Sequence, residues 1–358
     1  VAWTRGLEPL AWAYGRIAAG VRRRASRRRA RVEGAVVIAF GGLTVGGSGK
    51  SSTVRWFALR LAESGAPRLA VLLRGYGAKR PGASAEFVPD YEGLDPAPRA
   101  ARYGDDALAH RAALPRCAAV VTGADRSAAA DAAIRGFGAG ILLLDDGWEQ
   151  NGIRWDLLVA VLDPLRPVGN GHLLPAGPLR RPAESLAEAS LVALVLEQGS
   201  GLPLETLSFL ERYAPSLPRL LLRRRLIGAS PPGEARTEAM PRGVRVGLCS
   251  GVGAPDRLER FLRLEGLTVV GHAAFPNHAA WSIPNIESAA ADLARAGAEL
   301  LLITGKDEAR WPRGIRLGLP ARVLRTGLTQ VAPGPDPAAL VRAARAGRPE
   351  LAGPESFG

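Results

Sequence analysis

Cysteine is almost missing from this chain: Cys117 and Cys249 are the only two in 358 residues, far apart and without metal-ligand spacing. That excludes a disulfide framework and fits a reducing compartment. Lysine is nearly as scarce. Lys50, Lys79 and Lys306 stand alone, and arginine supplies the rest of the 47 basic residues. No internal repeat period appears, which excludes a solenoid or propeller. An uninterrupted apolar run of membrane-crossing length is also absent. Val1–Gly20 is the nearest approach, and Arg5, Glu8 and Arg16 break the roughly 20 apolar residues a span requires. Nor does it read as a signal peptide, because Arg22–Arg24 and Arg27–Arg29 follow the apolar part and no small-residue cleavage pattern is evident.

Charge is plentiful but unevenly placed. Of the net +13, residues 1–31 hold +8, from nine arginines and one glutamate, leaving +5 for the other 327 residues. So modest a charge on a large body, without interleaved aromatic and basic residues, argues against nucleic acid as a partner. The N-terminal stretch reads instead as an interfacial helix, with Trp3, Trp12 and Tyr14 at headgroup depth and arginines on anionic lipid.

The chain is organised around Gly34–Phe40, a β-branched apolar run, followed by Gly41-Gly-Leu-Thr-Val-Gly-Gly-Ser-Gly-Lys-Ser51. This is the layout of a buried strand feeding a phosphate loop. Glycines let backbone N–H groups of Thr44, Val45, Gly46, Gly47, Ser48 and Gly49 converge on an anion, and a helix starting near Lys50 adds its positive end. Lys50 reaches the outer phosphates and Ser51 ligates magnesium in this reading. Thr44 stands where the usual pattern has glycine. Lysine kept here in an arginine-rich chain is informative, since a planar guanidinium replaces a compact ammonium poorly.

Periodicity predicts a helix over Thr53–Ser64 and a strand over Arg68–Leu73 that ends in Arg74-Gly-Tyr-Gly77. An arginine just beyond a strand sits where open α/β sheets bind ligands, or in a plain turn. Ala78–Tyr103 reads as a long surface loop. Asp105 and Asp106 introduce a helix over Ala107–Leu114, where either carboxylate could cap it; alternatively one accepts a proton from a hydroxyl and the other helps hold a metal. The apolar strand Ile141–Leu144 ends in Asp145-Asp-Gly147, as a Walker-B strand does beside magnesium. Further strands are expected at Leu157–Leu162, Leu191–Leu196 and Leu220–Leu226. A Pro/Gly-rich break at Ala229–Gly243 marks a domain boundary, beyond which strands and helices alternate again. His172 is read as a loop histidine.

Several islands together resemble one family, the tetraacyldisaccharide 4'-kinases that act on lipid A precursors: Leu43–Lys50, Arg74–Gly77, Gly104-Asp105, Asp145–Gly147, Gly169–Arg180, Phe275-Pro276 with His278, and Thr304 with Lys306-Asp307. The resemblance implies an α/β fold with a P-loop NTPase-like α/β/α core, a second, smaller α/β domain and an N-terminal membrane-associated helix. The expected organisation is 1–31 as that helix, 32–228 as the kinase domain and 229–358 as the domain closing over nucleotide. It further implies ATP and Mg2+, transfer to the 4'-hydroxyl of an acylated glucosamine disaccharide 1-phosphate, and a place at the cytoplasmic face of the inner membrane. Asp105 would be the base, paired with His278; Ser51, Asp106, Asp145 and Asp146 would serve the metal; Arg74, Asn170 and Arg180 would contact substrate. Gly42, Asp106, Glu149, Asn277 and Gly305 depart from the family pattern, which keeps open a divergent P-loop kinase or ATPase acting on another membrane-associated acceptor.

Overall fold

The computed structural model describes residues 6–76, 78, 85–90, 96–150, 152–234, 236–275, 281–312 and 314–347. In chain order the first half comprises α1 (Glu8–Arg28), β1 (Val36–Gly41), α2 (Lys50–Glu63), β2 (Leu69–Leu73), β3 (Glu86–Phe87), α3 (Pro96–Tyr103), α4 (Asp105–Ala113), β4 (Ala118–Thr122), α5 (Arg126–Phe137), β5 (Ile141–Leu144), β6 (Leu157–Leu162), β7 (Leu191–Leu196), α6 (Leu204–Tyr213) and β8 (Arg219–Ser230). The second half adds β9 (Arg245–Ser250), α7 (Pro255–Leu264), β10 (Thr268–Ala274), α8 (Ile283–Arg295), β11 (Leu300–Thr304), α9 (Gly305–Glu308), β12 (Ala321–Gln330) and α10 (Pro337–Ala346).

The twelve strands of the described residues form one sheet in the order β10-β9-β11-β12-β8-β7-β6-β1-β5-β2-β4-β3. Pairing is parallel except where β12 meets β8 and β3 meets β4. β1 lies between β5 and β6, and each of its six residues is buried. That is why it reads as a continuous apolar run and not as an alternating one. Val36, Ile38 and Phe40 face a core shared with Val54, Phe57 and Leu61 of α2, where the Phe40 and Phe57 rings meet edge to face at 5.0 Å. Val37 and Ala39 face the opposite core with Leu142, Leu144 and Trp148. Helices on both faces therefore leave ligands the carboxyl ends of the strands, where β1 and β5 release their loops.

The second half has its own cores around Trp281 and Trp311 and around Leu248 and Phe261. The last helix, α10, returns to the first: Ala338 and Val341 join the core beneath α2.

Two expectations are corrected here, and one helix is added. The loop expected over Ala78–Tyr103 contains β3 and α3, and α3 buries Ala100 and Tyr103 in the core. The helix α6 lay unread between β7 and β8. The strand expected at Leu220–Leu226 runs on to Ser230, into the stretch taken as a break, because β12 pairs antiparallel with it from Leu222 to Ser230.

Candidate active site

The loop after β1 closes on the N-terminus of α2, whose cap is Gly49 in a left-handed conformation (φ 90°). A side chain there would be strained, and its Cβ would lie 2.9 Å from Val195 on β7. Lys50 opens the helix and its Nζ donates to the Gly46 carbonyl at 3.5 Å. Burial lowers the Lys50 pKa, while Asp146 and Asp145 counter by favouring the ammonium and Arg180 disfavours it. The Ser48 Oγ is buried and has no hydrogen-bond partner among the described residues. A polar atom orphaned inside a glycine loop fits a bound anion.

Asp145 and Asp146 follow β5, as the Walker-B reading expects. The Asp145 carboxylate is buried; burial alone would raise its pKa, but a hydrogen bond from His110, the charge of that group, a bond from Ser51 and the charge of Lys50 bring it down to about 2. It is thus an ionised acid next to the serine that follows the loop lysine. Asp146 takes a left-handed backbone (φ 52°), and both its oxygens accept from Arg180 Nη1, at 3.0 and 2.9 Å. The fold therefore brings Lys50, Ser51, Asp145, Asp146 and Arg180 together.

The neighbouring Arg181 is 1 % exposed. Its Nη2 donates to the Trp148 carbonyl at 2.8 Å, its Nη1 to both Glu188 oxygens at 3.2 and 3.1 Å, and its Nε to Glu149. The departure at Glu149 is thus met by a cation. Arg22 of α1 donates to the Arg180 carbonyl at 3.3 Å, and Arg29 donates to the Gln150 carbonyl at 3.1 Å while stacking on Trp155. Helix α1 is consequently tied to the loops that carry Asp146 and Arg180.

Asp105 and Asp106 do not cap α4. Gly104 occupies that position with φ 85°, where a Cβ would meet the Tyr76 carbonyl at 2.6 Å. Both acids project from the first turn, where the helix dipole favours negative charge. Cations of the second half meet them: Arg310 Nη2 lies 3.0 Å from Asp105 Oδ2, and Lys306 Nζ lies 3.4 Å from Asp106 Oδ1. Asp106 is thus paired with Lys306. Asp307, buried next to Lys306, has its pKa raised by burial against hydrogen bonds from Thr304 and Gly251 N–H.

Arg74 is exposed and reaches Tyr76, its Nη1 3.0 Å from the phenol oxygen. Asn170 serves its own loop, donating to Ala176 O at 3.0 Å and accepting from His172 N at 3.2 Å. It borders a cavity of about 770 Å³ that also touches Thr44, Val45, Gly46, Gly47 and Phe209. His278 lies outside the described residues.

Two buried residues escaped sequence reading. His110, on α4, touches Asp145. Arg126, at the start of α5, donates to Gly123 O at 2.9 Å, and burial brings its pKa down to about 10 against the charge of Asp145. Neither carries a local motif; both are identified by what the fold sets beside them.

Among the described residues no three His, Cys, Asp or Glu side chains gather as a metal centre. Magnesium commonly takes only one or two protein carboxylates and fills its shell with phosphate oxygens and water. A serine hydroxyl beside an ionised carboxylate offers two hard oxygen donors that fit that ion.

Comparison with known proteins adds a family. The description Tetraacyldisaccharide-1-P 4'-kinase matches residues 3–329. The chain is 37% identical to a tetraacyldisaccharide 4'-kinase of Anaeromyxobacter dehalogenans (strain 2CP-1 / ATCC BAA-258), over 81% of this chain and 76% of that one. It is 33% identical to that of Geobacter sulfurreducens, over 85% and 82%, and 36% identical to that of a Methylobacterium species (strain 4-46), over 95% and 92%. In fold it is similar to the crystal structure of "apo" form LpxK from Aquifex aeolicus in complex with ATP, with TM-score 0.71 and 21% identity, covering 96% of this chain and 99% of that one. The phosphate loop, the paired acids and the match along nearly the whole chain lead to one conclusion: this protein belongs to the tetraacyldisaccharide-1-P 4'-kinase family.

Proposed function

We propose that this protein transfers the γ-phosphoryl group of ATP to the 4'-hydroxyl of a tetraacylated glucosamine disaccharide 1-phosphate. The observation that carries this reading is the convergence of Lys50, Ser51 and the ionised Asp145 at the carboxyl ends of β1 and β5. Phosphoryl transfer asks for positioning and charge neutralisation more than for covalent chemistry. Backbone N–H groups of residues 44–49 hold the phosphates, and the Lys50 ammonium follows the transferring group. Ser51 and Asp145 would hold Mg2+, which supplies charge neutralisation on the phosphate oxygens when bound. Asp146 and Arg180, bonded to each other, set the charge around Lys50.

Asp105 accepts the proton from the acceptor hydroxyl in this account, oriented by Arg310 at 3.0 Å. His278 supports it by family resemblance. Residues 32–228 act as the kinase body and 229–358 as the part that closes over nucleotide. The ion pairs of Lys306 and Arg310 with Asp106 and Asp105 are the contacts that such closure would make and break.

We also infer that α1 rests on the cytoplasmic face of the inner membrane. No helix among the described residues is long and apolar enough to cross a bilayer. Leu10, Ile17 and Val21 are each more than half exposed. Their spacing of seven and four places them on one stripe, followed by the arginines that would meet anionic headgroups.

The test is purified protein in detergent with γ-labelled ATP and the tetraacyldisaccharide 1-phosphate. Label on the 4' position supports the proposal. Label released only as inorganic phosphate, or found on another lipid and never on the disaccharide, overturns it.

A further inference from the structure

His110 occupies a core-facing position on α4. It is wholly buried, between the buried Ala107, Leu108 and Arg111. A leucine would fill such a place without burying any polar atom. The imidazole instead makes a single hydrogen bond: Nε2 lies 2.9 Å from Asp145 Oδ2, while Nδ1 is buried with no partner among the described residues. The carboxylate, ionised in this setting, can only accept, so Nε2 carries the proton and donates. One nitrogen is spent on Asp145 and the other is left unsatisfied for it.

The helix that carries His110 begins with Asp105. His110 lies five positions further on, about 7.5 Å along the axis at 1.5 Å per residue. The next residue, Arg111, pins the same turn to the chain ahead of β4 by donating to Leu114 O at 2.6 Å and to Ala118 O at 2.5 Å. A nine-residue helix is thus fixed at its C-terminal turn by two adjacent side chains, one gripping β4 and the other the end of β5.

We propose that His110 is a positioning residue of the phosphoryl-transfer site: its hydrogen bond holds Asp145 toward Ser51 and sets the placement of the helix that presents Asp105. The proposal rests on the reading of Ser51 and Asp145 as the magnesium pair. His110 itself touches neither nucleotide nor acceptor; it acts through Asp145. Nothing in the phosphate-loop or paired-acid motifs calls for it, since 35 residues separate the two partners in the chain.

Glutamine and asparagine at this position separate the alternatives. The glutamine amide nitrogen reaches the place of Nε2, whereas that of asparagine reaches only the place of Nδ1, away from Asp145. The experiment is calorimetric binding of ATP to the full chain without acceptor, in EDTA and across a Mg2+ titration, for the native protein, H110Q and H110N. Loss of a supporting hydrogen bond to a metal ligand typically weakens metal affinity about tenfold to a hundredfold. H110N should therefore raise the Mg2+ concentration at half-effect at least about tenfold, leaving ATP binding in EDTA within about twofold. H110Q should stay near the native value. A Mg2+ half-effect in H110N equal to the native one overturns the proposal, as does equal impairment of H110Q and H110N, or an equal loss of binding in EDTA. Should H110N fail to fold, H110L carries the same expectation against H110Q. Because no acceptor is present, these outcomes are independent of whether the disaccharide is the substrate.

Discussion

Replacing Arg181 with methionine perturbs the most heavily bonded side chain near the site. The guanidinium is 1 % exposed, lies 4.9 Å from the centre of the Trp148 ring and bonds Glu149, Glu188 and the Trp148 carbonyl. Methionine fills much of the volume but donates nothing. Leaving the Trp148 carbonyl without this donor costs about 1–3 kcal/mol. The side chains of Glu149 and Glu188 are 30% and 49% exposed, so water takes over most of their solvation and each loses at most about 0.5 kcal/mol. The lost stacking on Trp148 adds about 0.5–1 kcal/mol. The whole comes to roughly 1.5–5 kcal/mol, or about 3–10 °C in Tm at about 2 °C per kcal/mol.

A functional effect should accompany it. Arg181 is chain neighbour to Arg180, which grips Asp146, and Trp148 follows Asp146 by two residues. Loosening the clamp should lower kcat about tenfold with little change in the Kd for ATP, whose phosphates are proposed to sit on the loop after β1. R181K should recover less than half of the lost stability, because one ammonium cannot span three acceptors. Differential scanning fluorimetry and steady-state kinetics read both effects. A Tm for R181M within 2 °C of native, a change below roughly 1 kcal/mol, would refute the reasoning.

Two further expectations follow from the same geometry. Asp145, with its folded pKa down at about 2 against 3.8 ordinarily, contributes stability above pH 4 that is lost as pH falls toward 2. The loss is roughly 2 kcal/mol, so urea midpoints should drop through that window in the native protein and less in D145N; parallel curves would contradict it. Removing residues 1–20 should reduce partitioning onto anionic vesicles at low salt, with zwitterionic vesicles as the control. Unchanged partitioning would move the membrane contact off α1.

Much of the fold was legible because parallel strands buried on both faces announce themselves as short apolar runs: β5, β6 and β7 begin and end where such runs do, and β1 is offset from its run by one or two residues. The phosphate loop was legible for a different reason, since glycines between a buried strand and a Lys-Ser pair permit the positive-φ backbone that lets N–H groups converge on an anion. What escaped depended on pairing across the chain. β8 and β12 support each other through stretches rich in arginine and glycine, where no apolar pattern shows either strand's full length. Helix α3 lay in a segment whose prolines and glycines masked two inward-facing residues, Ala100 and Tyr103. Among site residues, Asp145 and Asp146 were readable from their place after a strand, but what holds them was not. His110 and Arg180 come from 35 and 34 residues away, and only the folded sheet sets them beside the acids.

The most direct test of a shared cleft compares Asp105→Asn with the native enzyme in two assays, calorimetric ATP binding and transfer to the tetraacyldisaccharide 1-phosphate. If Asp105 works on the acceptor, the amide should leave the Kd for ATP within about twofold while kcat falls about a hundredfold or more. Native turnover in the variant, or a loss of nucleotide binding as large as the loss of turnover, would contradict the account.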